Sequence, residues 1–498
     1  MEHPVAIVGA GPAGLTAAHA CAEAGLPAVV FEAAPTVGGL ARTEVYKGYR
    51  FDIGGHRFFT KNAAVQSLWR AVLGDEFLRR PRLSRIYYRG RFFWYPLRPG
   101  NAIAGLGAWR TARVLASYVR ARVMPPRNVE SLEGWVSSRF GRELYRTFFK
   151  TYTEKVWGVP AAEIRAEWAA QRIKELDLVG AVRDALFGKR NGRAITSLIE
   201  EFDYPRLGPG QMWERLAARV EDRGIPVRLG ARATRVLHAG GRAVELELEE
   251  AGVRRRMPVA AVISSAPLGE LIRALEPAPP PVVLDAAAGL RHRDLITVNL
   301  IVRRRDLFPD NWIYVHAPDV RVGRIQNFRN WSPAMVPDPE TTSLGLEYFC
   351  FRTDRIWSMR DEDLVTLAAR ELAALGLARR EQVTDGFVVR QPRSYPLYDA
   401  AYAEHVAVLR GFLAGFENVM TVGRNGLHRY NNQDHSMLTG LLAVRNLLGE
   451  RHDLWDVNAE AEYLEEVRPQ NSNQSPAVSS VSPSSSSLPR NSTVSVIS

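Results

Sequence analysis

Cysteine is nearly missing: the chain of 498 residues holds two, Cys21 and Cys350. Two thiols make no disulfide framework, which fits a reducing compartment and predicts a cytoplasmic protein. No Cys-x-x-Cys pair occurs, so no thiolate metal site, and no bound metal, is expected. Lysine is scarce as well. Six lysines stand among 65 basic residues, against 54 acidic ones, so the net charge of +11 is almost wholly arginine. No apolar stretch reaches the roughly 18 uncharged residues that a membrane span needs, so no integral membrane segment is expected. Met1-Glu2-His3-Pro4 brings no basic region and no cleavage site, and no secretory signal is expected. The basic residues read as scattered, with no zinc-finger or RNP motif, which leaves nucleic acid outside the expected partners. No internal repeat is visible.

What is present is ordinary globular material. Hydrophobic residues make up 46% and charged residues 24%, enough for two or three packing units at this length. The arginine surplus suits a phosphate-bearing small ligand, because a guanidinium pairs bidentately with phosphate oxygens. Val5-Ala6-Ile7-Val8 is a continuous apolar run, as in a buried parallel strand. Leu15–Ala24 has helical spacing and Val29-Val30-Phe31 makes a second strand, which completes one βαβ unit. Residues 63–200 read as mainly helical, broken by proline at Arg79–Arg82 and Met124–Arg127. A helix is predicted around Trp213–Val220, with strands around Val227, along Val244–Leu248 and at Val262–Ser265. Four prolines within 277–281 suggest a crossing between domains. Further strands are predicted at Leu295–Val302, Trp312–Val315 and Ser343–Phe351, then a helix at about 361–375. Residues 419–449 read as strand, loop and helix. The last 29 residues hold 12 serines. Such a segment buries too little surface to offset its ordering entropy, so 468–498 is predicted to be a disordered tail.

Gly9-Ala10-Gly11-Pro12-Ala13-Gly14 matches G-x-G-x-x-G in its full context, between a strand and a helix. Gly9 permits the tight turn, Gly11 the approach of a pyrophosphate and Gly14 the close packing of helix on strand. The helix N-terminus then offers free N–H groups to the anion. Glu32 ends the second strand, where a carboxylate can accept bonds from ribose hydroxyls and argues against a 2′-phosphate.

A second glycine turn follows, Gly38-Gly39-Leu40-Ala41-Arg42-Thr43. Here the sequence resembles the FAD superfamily of amine oxidases, protoporphyrinogen oxidases, phytoene desaturases and UDP-galactopyranose mutases. The resemblance implies FAD as cofactor, with this turn and Arg42 at its diphosphate. Val262–Pro267 is similar to the superfamily's returning strand, and Thr421–Gly426, with Gly423, to the turn that closes over the flavin. The implied fold class is α/β: a discontinuous Rossmann-like FAD-binding domain, a helical insertion and a mixed-sheet substrate domain. The corresponding boundaries are 1–62, 206–280 and 416–467 for the FAD-binding parts, 63–205 for the insertion and 281–415 for the substrate sheet.

Four blocks resemble the mutase branch. Phe51–Phe59 holds a Gly54-Gly55-His56 turn, which the resemblance places at the flavin edge. Tyr152-Thr153-Glu154-Lys155-Val156-Trp157-Gly158-Val159-Pro160 is similar to a segment lining the nucleotide pocket, where Tyr152 or Trp157 would stack on uracil. Tyr314, Arg324 and Asn327 resemble a block whose Tyr and Arg hold a substrate diphosphate, and Tyr395-Pro396-Leu397-Tyr398 resembles a Tyr-Pro turn that brings in another phenol. Gly423–Met437 resembles the eukaryotic-type run, two residues shorter between Tyr430 and Asn432. It implies Arg424 on the diphosphate, Tyr430 on the substrate, and Asn432 with Gln433 on the flavin.

The resemblance therefore implies ring interconversion of a nucleotide sugar, with reduced flavin N5 as nucleophile and His56, Arg324 and Arg424 as the catalytic side chains. An external reductant, NADPH or NADH, would be a partner. The alternative is an oxidoreductase of the protoporphyrinogen oxidase or amine oxidase type, which takes a hydride from an apolar or amine substrate. A flavoprotein that binds without turnover is the third class.

Overall fold

The computed structural model describes residues 2–166 and 200–458, apart from 96, 98 and 126–128. The Ser-rich tail at 468–498 and much of the second half of the expected insertion lie outside the described residues.

Five short parallel strands make the first sheet, in the spatial order Val419–Thr421, Ala261–Ser264, Val5–Val8, Ala28–Glu32, Val227–Leu229. They come from three separate stretches of the chain. The order reverses direction beside Val5–Val8, and such a switch point opens a crevice at the carboxyl ends of the strands. The strands Val5–Val8 and Ala261–Ser264 are apolar and almost wholly buried because both faces are covered. The helices Pro12–Glu23, Gly210–Glu221 and Gln433–Leu447 pack over one face around Leu15, Trp213, Leu216 and Met437. A four-stranded sheet (Val253–Pro258, Arg242–Glu250, Ala231–Ala239, Leu275–Glu276) shares a core with the other face through Phe31, Val236, Leu246 and Val262.

A seven-stranded mixed sheet carries the second core, in the order Val383–Pro396, His292–Val302, Thr342–Cys350, Arg324–Asn327, Trp312–Val315, Ser84–Tyr88, Arg91–Trp94. Its last two strands correct the helical expectation for 63–200. Aromatic and β-branched residues at 84–94 suit a pleated surface, and Ser84–Tyr88 runs parallel to Trp312–Val315. The proline within Arg79–Arg82, Pro81, likewise ends a strand, Phe77–Pro81, paired with Glu201–Pro205. The helices Ala108–Val123, Leu132–Phe140 and Thr151–Trp157 do form. The expected Tyr395-Pro396 turn is instead the end of a 14-residue strand in which Tyr395 pairs with Arg293. Arg324–Asn327 is also a strand, too short for its alternation to show in the sequence.

Candidate functional site

At the carboxyl end of the parallel sheet the two glycine turns meet. Gly9 has φ +100°, and a side chain there would overlap Ser265 Oγ. A side chain on Gly14 would overlap the Gly9 carbonyl oxygen, so both positions exclude a Cβ. The Gly38 N–H donates to the Ala10 carbonyl (2.8 Å) and locks the second turn to the first. Leu40 lies in the short 3₁₀ segment Gly39–Ala41 between them. Gly11 stands at the N-cap of Pro12–Glu23 with no side-chain cap; Pro12 opens the helix, Ala13 follows, and no acidic residue occupies the first turn. That terminus is free to receive an anion. Glu32 accepts from the N–H groups of Ala10 and Ala34, both at 2.8 Å, so it braces the cradle at the end of its strand. Arg42 is more committed than expected: it binds Glu44 (2.7 Å), the Gly39 carbonyl (3.0 Å) and Gln391 (2.8 Å).

The C-terminal turn closes the same crevice. Gly423 donates to Thr439 Oγ1 (2.9 Å). Asn432 caps the helix Gln433–Leu447 in a reciprocal box with His435, and Gln433 accepts from the Trp213 indole (3.2 Å). An uncapped helix end, a cradle without side chains and a carboxylate at the strand tip fit a dinucleotide cofactor.

The second half of the site stands on two central strands of the large sheet. Arg324 and Glu347 are register partners on neighbouring strands. Nε of Arg324 donates to Oε1 (2.8 Å) and Nη2 to Oε2 (2.5 Å), and the Glu347 side chain is fully buried. Gln326 donates to the same carboxylate (2.7 Å). Arg324 also reaches the Tyr395 hydroxyl (3.3 Å). Burial opposes its charge, but Glu347, Tyr395 and Tyr152 hold its pKa well above the ordinary value. Gly54 and Gly55 pack on this group, for a Cβ on Gly54 would lie 3.7 Å from Arg324 Nη2 and one on Gly55 2.8 Å from Gln326 Nε2.

Arg424 is held differently. Nε donates to the Asn431 carbonyl (2.9 Å) and Nη1 to the Ser394 carbonyl (3.0 Å). Its guanidinium lies over Tyr430 at 4.4 Å and Tyr395 at 5.6 Å, and those two rings stack at 5.5 Å. Among the described residues no carboxylate pairs with it. Trp157 closes the group at 6.3–6.4 Å from both phenols. Tyr152 meets Tyr314 edge-on (5.5 Å) and stacks on His316 (4.8 Å). His56 lies in the field of both arginines. Burial, then Arg424 and Arg324, push its pKa down to about 3, so the imidazole is neutral at neutral pH.

Two expected residues stand apart. Asn327 falls on the opposite face of its strand from Arg324 and Gln326, and its amide donates to the Phe308 carbonyl (3.2 Å). Tyr398 turns its hydroxyl to accept from the Tyr430 N–H (2.7 Å), so it positions Tyr430. Sequence reasoning missed Glu347, Gln326, Lys155 and Arg293. Glu347 was visible as a lone acid within the otherwise apolar Ser343–Phe351. Lys155 donates to the carbonyls of Val315 (3.3 Å), Ala317 (2.5 Å) and Val322 (3.2 Å). Arg293 donates to those of Val156 (3.1 Å), Lys155 (3.3 Å) and Phe349 (2.9 Å). Both pin the helix Thr151–Trp157 to the sheet.

Fold and cradle together define an FAD-binding enzyme. The family described as flavin containing amine oxidoreductase matches residues 12–408, and the chain belongs to that family. Among solved structures it is similar to a reduced UDP-galactopyranose mutase, with TM-score 0.79 and 22% identity over 92% of this chain and 98% of that one. A cyclohexylamine oxidase from Brevibacterium oxydans IH-35A gives TM-score 0.61 and 16% identity over 90% and 100%. A putrescine oxidase bound to putrescine gives TM-score 0.60 and 17% identity over 90% and 99%. At these identities the likenesses speak for the fold.

Proposed function

We propose that this chain is a mutase-like flavoenzyme that interconverts ring forms of a nucleotide sugar. The observation that carries the reading is Arg424: a guanidinium fixed by two main-chain carbonyls, flanked by two phenols and, among the described residues, without a carboxylate partner. A half-buried cation with no such counter-ion is the natural seat of an anion. Bound FAD would supply the nucleophile, its reduced N5. Arg424, with Arg324 beside it, would hold the diphosphate as it departs and returns. Tyr395 and Tyr430 would donate to its oxygens, and burial keeps the Tyr395 phenol protonated well beyond neutral pH. Tyr152 and Trp157 would offer flat faces to the base, with Tyr314 beside them. Neutral His56, in the Gly-Gly-His turn, adds no third charge.

The amine reading meets a physical obstacle at the same spot. The stacked phenols could flank an ammonium by cation–π attraction, but Arg424 already lies over Tyr430, and a second cation there would be repelled.

Titration of the flavin-loaded enzyme with UDP tests the proposal. The parent should bind, and Arg424→Ala should cost about 2–5 kcal/mol of that affinity with the flavin spectrum unchanged. Arg424→Lys should rescue only in part, because an ammonium is no fork. Undetectable UDP binding by the parent in both flavin redox states would overturn the reading.

A further inference from the structure

From Phe77 to Val129 the chain carries no aspartate or glutamate, and twelve arginines fall within those 53 residues. That segment's charge exceeds the whole chain's +11, so the remainder is nearly neutral. The basic residues are therefore not scattered; one region holds the surplus.

The helix Ala108–Val123 lies in this region. It packs Val114, Tyr118 and Ala121 onto the body. Its opposite face is not the polar one that a solvated helix presents. Trp109, Ala112, Ala116, Val119 and Val123 recur there at three- and four-residue spacing, and all are exposed. Trp109 is 75% exposed, Val123 74% and Val119 52%; Met124, at 68%, extends the row. Arg113 and Arg120 border one edge of the row, with Arg110 beyond them, and Arg122 borders the other. Arg113 pairs with Glu143 (3.0 Å), whereas Arg120 is exposed beside the apolar row and Arg110 is exposed on the same flank of the helix.

We infer that this helix face docks on a bilayer surface that contains anionic lipid. An outward apolar seam led by tryptophan and edged by arginine matches a helix lying in the interfacial plane. The arginines supply the attraction to anionic headgroups, and Trp109, with Val119, Val123 and Met124, supplies the apolar insertion. Two other occupants fit the charge less well. A second copy of the face would bring arginine rows together, at a like-charge cost. Residues 167–199 carry six basic and four acidic side chains, so they bring no opposite net charge. The attachment is peripheral: among the described residues no helix is long and apolar enough to cross a membrane.

The test is flotation of the full-length, flavin-loaded enzyme with vesicles of phosphatidylcholine alone or mixed with phosphatidylglycerol. The enzyme should float with the mixed vesicles at low salt, stay behind with phosphatidylcholine, and come off in high salt. Trp109→Ser should weaken the partition by about tenfold, and Arg110→Glu with Arg120→Glu by at least about as much. Flavin content and melting temperature should be unchanged, since these side chains are exposed; Val123→Ser is the second apolar variant should Trp109→Ser disturb either. No partition of the parent on mixed vesicles, variants that float as the parent does, or a dimer that Trp109→Ser dissolves would each overturn the inference.

Discussion

Replacing Glu347 with alanine should destabilise this protein more than almost any other polar substitution. Its carboxylate is fully buried and takes both donors of the Arg324 fork, at 2.8 and 2.5 Å, and the Gln326 amide at 2.7 Å. Truncation leaves a guanidinium that is 17% exposed without its counter-ion. Breaking such a buried pair from one side costs about 3–5 kcal/mol, mostly the penalty of stranding the other charge. Removing both charges should cost far less. Glu347→Met with Arg324→Met keeps the volume and removes both desolvation penalties, leaving chiefly the lost Gln326 bond, about 1 kcal/mol. The assay is urea unfolding at fixed FAD concentration for the parent, Glu347→Ala, and the cycle of Glu347→Met, Arg324→Met and the double variant. The double variant should be more stable than Glu347→Ala and yet fail to bind UDP, which separates the fold from the ligand. A Glu347→Ala protein within about 0.5 kcal/mol of the parent, or a double variant no more stable than the single, would refute the account of the pair.

Asp52 is buried, accepts from Tyr204 (2.5 Å) and Thr43 (3.2 Å), and burial raises its pKa from 3.8 to about 7. Its contribution is therefore fully present below about pH 4 and lost as pH rises through about 7, and Asp52→Asn should flatten that slope in melting curves taken across the window. Glu32→Ala removes the acceptor of two main-chain N–H groups and should weaken FAD retention by about 1–3 kcal/mol, measured by flavin release on dilution. Gly440→Ala would drive a methyl into the Ala13 carbonyl and wedge apart the helices Pro12–Glu23 and Gln433–Leu447. The cost should be about 1–3 kcal/mol in thermal melts, with looser FAD.

The nucleotide cradle was legible because its constraints are local. Gly9, Gly11, Gly14 and Glu32 sit within one βαβ unit, and the geometry each supplies is fixed by neighbours a few residues away. The continuous apolar run at Val5–Val8 likewise announced a buried strand, since strands covered on both faces need no alternation. The glycine turns at 38–39 and 54–55 marked close approaches of the backbone.

The substrate side depended on contacts across the chain that no local pattern records. Arg324 and Glu347 are paired by the register of two strands, and a shift of one residue would have turned both side chains to the other face. The same alternation removes Asn327 from the site, although it stands three positions from Arg324. Strand Ser84–Tyr88 was hidden in a helical stretch because it joins the sheet through a partner, Trp312–Val315, more than 200 residues away, and Arg91–Trp94 extends the sheet from it. The sequence alone determined the glycine turns and the carboxylate at the strand end, because steric needs of a turn are written in consecutive residues. Tertiary structure alone decided which arginine is neutralised, by Glu347, and which, Arg424, has no carboxylate partner among the described residues, because charge compensation in a buried site is a matter of distance in space.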